Sequence, residues 1–116
     1  ATAKPTSNAE SDLTGLRISE ELRPLFHHVQ GTDAGMSSKP SPDVILKCAA
    51  VLGVDVTRTV YIGDTKRDAA AAKAAGCVGC LTIRRDSTND DDLGADALIS
   101  SFDQIETYIF EHILIK

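Results

Sequence analysis

Tryptophan is missing from these 116 residues, and two Tyr and three Phe bring the aromatic share to only 4%. A chain so poor in rings offers no stacking platform for bases or sugars. A basic surplus is missing too: 12 Lys and Arg stand against 17 Asp and Glu, a net charge of −5 with a pI near 5.0. With no basic stripe to release counterions from phosphates, composition argues against nucleic acid and anionic membrane surfaces as partners. No apolar run approaches the roughly 18 residues that a membrane-spanning helix needs. The first residues also lack the charged-then-apolar pattern of a secretory signal. Three Cys make no even disulfide framework, so free thiols in a reducing, cytoplasmic setting are expected.

What remains is an ordinary globular composition, 42% hydrophobic and 25% charged, without repeats or low-complexity tracts. One domain over residues 1–116, or part of one, is the expectation. Helical and strand patterns alternate, which predicts an α/β layer fold with a parallel sheet. Ser7 and Glu10 form a capping-box pattern for a helix to about Leu16, with residues 18–25 continuing helix-like. A short strand is expected over residues 27–30, then a loop rich in Gly, Ser and Pro. Pro42 opens a helix that Gly53 closes.

Residues 58–62 read as a strand covered on both faces, because Val60, Tyr61 and Ile62 are adjacent. A helix over 65–75 follows, with Gly76 at its end, and then a strand over 77–83. Residues 84–94 are a charged loop, and Ala97 to Ile99 a last short strand. Ser101 with Gln104 caps a final helix in which Phe102, Ile105, Ile109 and Ile113 recur at helical spacing. The first residues, Ala-Thr-Ala-Lys-Pro, have no strand pattern before them, although an α/β repeat calls for one there.

Ligands of open α/β sheets bind at the carboxyl ends of the strands. The polar residues that follow the expected strands are Thr2 and Lys4, Asp33 and Lys39, and Asp64 and Asp68. A hydroxyl and an ammonium can hold a phosphoryl group. Carboxylates can hold Mg²⁺, which takes one or two of them together with phosphate oxygens and water.

Taken in order, Thr-Ala-Lys-Pro at 2–5, the run F-x-x-V-x-G-x-D at 26–33, K-P-S-P-D at 39–43 and G-D-T-K-R-D at 63–68 resemble the haloacid dehalogenase superfamily. Within it, the spacing is similar to the phosphoglycolate phosphatase and β-phosphoglucomutase type, and Ala-Ala-Gly at 74–76 and Gly-Ala-Asp at 94–96 fit as well. The resemblance implies a three-layer Rossmann-like core and a Mg²⁺-dependent phosphatase acting on a small phosphorylated metabolite. It also implies the site roles. Thr2 would hydrogen-bond the transferring phosphoryl group, Lys39 would steady the charge on nucleophile and phosphoryl oxygens, and Asp64 and Asp68 would serve the metal.

One departure from the pattern is large. The D-x-D-G-T run that supplies the family's nucleophile and its acid-base aspartate does not occur in this sequence, and neither does a cap. The chain therefore resembles the C-terminal portion of the core, a truncated fold without the central strand. Two unpaired strand edges would follow, along with a need for the missing half or another chain to complete the sheet. The 116 residues alone are expected to be inactive. A phosphomutase would share these motifs, and a non-catalytic module of the same fold is compatible with the missing run.

Several of these residues have plainer readings. Asp68 with Thr65 is a T-x-x-D capping pattern, a role that can coexist with metal support. Asp64 can be a turn residue after a strand. Lys39 and Lys4 can be solvated charges, with Lys4 the better fit to that description, and Thr2 can be a frayed terminal residue. Cys77 and Cys80 form a C-x-x-C, but an odd separation within a strand sends the side chains to opposite faces, and no second ligand pair follows, so core packing is expected. His27 and His28 are expected to pack or face solvent, and Asp90, Asp91 and Asp92 to lie in a solvated loop.

Overall fold

A computed structural model describes residues 1–15, 22–83 and 94–114. The elements are helix α1 (Thr6–Gly15), helix α2 (Asp43–Leu52), strand β1 (Val60–Gly63), helix α3 (Lys66–Ala75), strand β2 (Gly79–Ile83), strand β3 (Ala97–Ile99) and helix α4 (Asp103–Ile109), which runs into a π-helical turn at Phe110–Leu114. Short 3-10 turns sit at Arg23–Leu25 and Val56–Arg58. The sheet is parallel throughout, in the order β1-β2-β3, with Val60 opposite Gly79 and Leu81 opposite Ala97.

Side-chain alternation along the strands separates two helix layers. Cys80 and Tyr61, partners in the register, face a cluster made by Val44 and Ile45 of α2 and Ala69, Ala71, Ala72 and Ala75 of α3. Burying Val44 and Ile45, each under 4% exposed, contributes about 1.5–3 kcal/mol apiece. The α3 alanines let the helix lie close on the sheet. The opposite face meets the C-terminal element: a methyl at Gly79 would touch Tyr108 and Ile113. Three layers result, as the family resemblance implies.

Boundaries at α3 follow their local signals. Thr65 caps the helix through a capping box with Asp68, and Gly76 ends it in the left-handed region at φ 87°. In α2 the expectation is off by one residue, since Pro42 is the cap and Asp43 the first helical residue. Gly53 closes that helix at φ 68°.

Four expectations are corrected. Residues 27–30 form no strand. They lie beside the first residues, where the Thr2 N–H donates to the Gln30 carbonyl (2.9 Å) and the Thr32 N–H to the Lys4 carbonyl (2.8 Å). Ser7 is not the cap of α1, which begins at Thr6 and borrows its cap from a distant carboxylate, Asp33. The strand expected over 58–62 begins at Val60, after Arg58 has closed a 3-10 turn, and it is only partly buried, with Ile62 37% exposed. The continuously buried strand is β2. Finally, Cys77 precedes β2, so strand alternation does not apply to it, and both Cys77 and Cys80 lie against the same cluster as free thiols. The first half of the helix-like run, residues 18–21, and the charged loop from 84 to 93 with Asp90, Asp91 and Asp92 fall outside the described residues, and the rest of that run holds only the 3-10 turn at Arg23–Leu25.

Candidate phosphoryl-binding site

The carboxyl end of β1 carries the site. Strand alternation points Tyr61 and Gly63 toward the α3 side, and Asp68, in the first turn of α3, turns its carboxylate back into that corner. A Cβ at Gly63 would lie 2.4 Å from Asp68 Cβ and 2.7 Å from its Oδ2, so only glycine leaves the carboxylate its place. Asp68 Oδ2 accepts from the N–H groups of Asp64 and Thr65, both at 3.1 Å, and from the Thr65 hydroxyl at 2.9 Å. Three donors on one oxygen tie the strand end to the helix start.

The other oxygen, Asp68 Oδ1, accepts from Lys39 Nζ at 2.5 Å. Both side chains are largely buried, at 13% and 8% exposed. The Lys39 ammonium also donates to the Tyr61 hydroxyl at 3.3 Å and sits 5.8 Å from the centre of its ring. Burial alone would neutralise both members of the pair, but mutual hydrogen bonding wins. Burial pulls the Lys39 pKa down, and the contacts with Asp68 and Tyr61 more than reverse that, leaving it above the usual lysine range. Burial pushes Asp68 up, and the bonds from Lys39, Thr65 and Asp64 hold its carboxyl below the usual carboxylate range. An intact ion pair is the consequence at neutral pH.

The loop that delivers Lys39 is folded on itself. The Met36 N–H donates to the Asp33 carbonyl (3.1 Å), the Ser41 N–H to the Ser38 carbonyl (3.0 Å) and the Ser37 N–H to the Asp43 carboxylate (2.9 Å). Gly35 takes the one left-handed turn this needs, at φ 85°.

Thr2 lies next to this corner but bonds elsewhere. The Tyr61 hydroxyl donates to the Ala1 carbonyl at 3.4 Å, which brings the first residues to the end of β1, and the Thr2 hydroxyl accepts from the Lys4 N–H at 3.3 Å. Gly31 passes so close to this segment that a Cβ there would lie 2.2 Å from the Thr6 nitrogen. Asp33 then grips Thr6 through both its N–H (2.9 Å) and its hydroxyl (2.6 Å), bonds that lower the Asp33 pKa. Asp33 is thus a cap for α1. Lys4 is paired with Asp12 on the surface, and His28 with Gln30.

The structure brings Lys39, Asp68 and the backbone of Asp64 together, sets Thr2 beside them and leaves Lys4 outside. The half-buried Asp64 directly follows the strand, where an acid suits a hard cation. Asp68 suits one less well, because both its oxygens are committed to Lys39 and to N–H and O–H donors. Among the described residues, no group of three or more His, Cys, Asp or Glu could hold a metal ion. Sequence reasoning gave Tyr61 no role at the site and, although it quoted Gly63 within the G-D-T-K-R-D run, did not show why that position must be glycine. The signal was present in V-Y-I-G-D, where strand alternation sets both on one face.

Comparison with known proteins identifies the family. Residues 1–81 match the haloacid dehalogenase-like hydrolase family. Phosphoglycolate phosphatase of Neisseria meningitidis is 39% identical over 89 residues, covering 72% of this chain and 38% of that protein. D-glycero-beta-D-manno-heptose-1,7-bisphosphate 7-phosphatase of Rhodopseudomonas palustris is 44% identical over 75 residues, covering 60% of this chain and 41% of that protein. The crystal structure of a mutant of CbbY from Rhodobacter sphaeroides, in complex with xylulose-(1,5)bisphosphate, superimposes with a TM-score of 0.69 at 28% identity, covering 88% of this chain and 45% of that one. The chain spans less than half the length of these relatives. With a parallel α/β core, a β1 end built around Gly63, Asp64 and Asp68, and a family match across most of its length, the chain belongs to the haloacid dehalogenase-like hydrolases.

Proposed function

We propose that this chain forms the C-terminal part of the catalytic core of a Mg²⁺-dependent phosphomonoester hydrolase acting on a small phosphorylated metabolite in the cytoplasm. The observation that carries the reading is the Lys39 ammonium, held at the end of β1 by Asp68 and Tyr61 beside Asp64. Phosphoryl transfer asks a protein mainly for positioning and charge stabilisation. A buried ammonium fixed by two partners offers both to a phosphoryl oxygen.

In this reading an aspartate outside these 116 residues attacks phosphorus, the ester P–O bond breaks, and water then hydrolyses the aspartyl-phosphate. Lys39 offsets the negative charge of the phosphoryl oxygens, and the Thr2 hydroxyl donates to one of them. Asp64 would hold the Mg²⁺, which when bound neutralises phosphoryl charge. Asp68 acts through Lys39 and the Asp64 backbone, so its role is to position them. The breadth of the relatives, which are named for phosphoglycolate, for a heptose bisphosphate and for a bound xylulose bisphosphate, supports a shared phosphoryl site whose substrate choice lies outside this region.

The test is release of inorganic phosphate by the complete protein from phosphoglycolate, sugar phosphates and p-nitrophenyl phosphate, with Mg²⁺ and after its chelation. Turnover that chelation abolishes is the expected result, along with none by the 116 residues alone. Transfer within a sugar phosphate that needs a bisphosphate activator would instead identify a mutase. Absence of turnover on every ester would favour a non-catalytic module.

A further inference from the structure

We infer that Tyr61 is a positioning residue that couples the lysine half of the phosphoryl site to the threonine half, an inference that rests on the phosphatase reading of that site. Its hydroxyl accepts from Lys39 Nζ at 3.3 Å and donates to the Ala1 carbonyl at 3.4 Å. One phenol oxygen therefore bridges the loop that carries Lys39 and the segment that carries Thr2, two pieces of chain that approach the sheet end separately.

Two features make the bridge directional. Tyr61 lies in β1, on the face where its register partner Cys80 packs into the core, so its ring is fixed by the sheet. Lys39 and Ala1 are placed by loops, which have more freedom. Burial first of all raises the phenol pKa, so the hydroxyl keeps the proton it gives to Ala1. Lys39 for its part has three N–H donors and uses one on Asp68 and one on Tyr61, which fixes the direction of the remaining one. Asp68 alone anchors the ammonium at one point and leaves it free to swing about that contact.

The experiment is a double-mutant cycle with Tyr61→Phe and Lys39→Met in the complete protein, read by kcat and KM on p-nitrophenyl phosphate and by the inhibition or dissociation constant of inorganic phosphate. Tyr61→Phe keeps the ring and removes only the bridging oxygen. It is expected to lower kcat/KM and weaken phosphate binding about fivefold when Lys39 is present, the scale of one modest hydrogen bond, and by under about twofold in the Lys39→Met background. An equal loss in both backgrounds, or no loss in either, would overturn the inference. Nuclear Overhauser contacts between the Lys39 ε-methylene and the Tyr61 ring give a readout apart from activity, and their absence would also overturn it. If the wild-type protein binds phosphate but turns over no ester, the phosphatase reading fails. The coupling is then judged on phosphate affinity and the Overhauser contacts alone.

Discussion

The end of β1 and the C-terminal helix both have a signal in the sequence, yet the helix covers only part of its apolar surface against the described residues, through Tyr108 and Ile113 beside Gly79. At the β1 end, Gly63, Asp64, Thr65 and Asp68 sit within six positions, and the bonds from the Asp64 and Thr65 N–H groups and the Thr65 hydroxyl to Asp68 are local, while the one from Lys39 is not. Phe102, which precedes α4, and Phe110 and Leu114 in the turn after it are 74%, 59% and 69% exposed, and no residue of α4 or of that turn is fully buried. They line an open groove of about 630 Å³ together with Ile105 and Ile109. A polar cap is satisfied by its own neighbours. An apolar face declares only that something should cover it.

That contrast can be broken by substitution. The largest effect is expected from Gly63→Ala, because the new methyl would meet the Asp68 side chain at 2.4 Å and must push apart strand end and helix start. A loss of about 3 kcal/mol is expected, read from the urea midpoint. Asp68→Asn keeps the shape, removes the charge that Lys39 needs and should cost about 2 kcal/mol by the same measurement. Thr65→Ala removes the N-cap and should cost about 1 kcal/mol, with α3 exchanging its first amide protons faster. At the other end of the comparison, Phe102→Ser and Leu114→Ser should each stay within about 0.5 kcal/mol of wild type. A loss above about 2 kcal/mol in either would mean that the groove is covered in solution.

Titration sharpens the same picture. Asp68 has its pKa lowered, so its contribution to stability is present above the unfolded value and is lost as pH falls through the depressed folded one. Lys39 has its pKa raised, so its contribution is full below the unfolded value and is lost as pH rises through the elevated folded one. The stability gap between wild type and Lys39→Met should therefore stay flat from about pH 5 to about pH 9 and narrow only outside that window. A gap that changes across neutral pH would mean that the pair is not formed.

How far the sequence carried depended on the range of the interaction. The α3 boundaries follow from Thr65, Asp68 and Gly76, each acting within one helical turn, and β3 follows from a short apolar run. The start of α1 was misread because its cap, Asp33, lies 27 residues from Thr6. No local pattern encodes such a partner. The strand expected over 27–30 has one strand-favouring residue, Val29, and forms only irregular bonds with the first residues. For the site, motif order brought out Lys39, Asp64, Asp68 and Thr2. It did not reveal that Asp68 spends both oxygens on protein donors, or that Tyr61 spans Lys39 and Ala1, because those facts live in tertiary geometry.

Lys39 is the fixed positive charge on which the proposed phosphoryl site depends. Lys39→Met in the complete protein, assayed for Mg²⁺-dependent hydrolysis of p-nitrophenyl phosphate with folding checked by circular dichroism, addresses it in one step. A loss of at least about 100-fold in kcat with the fold retained is the expected result. Wild-type turnover from a folded Lys39→Met protein would contradict it.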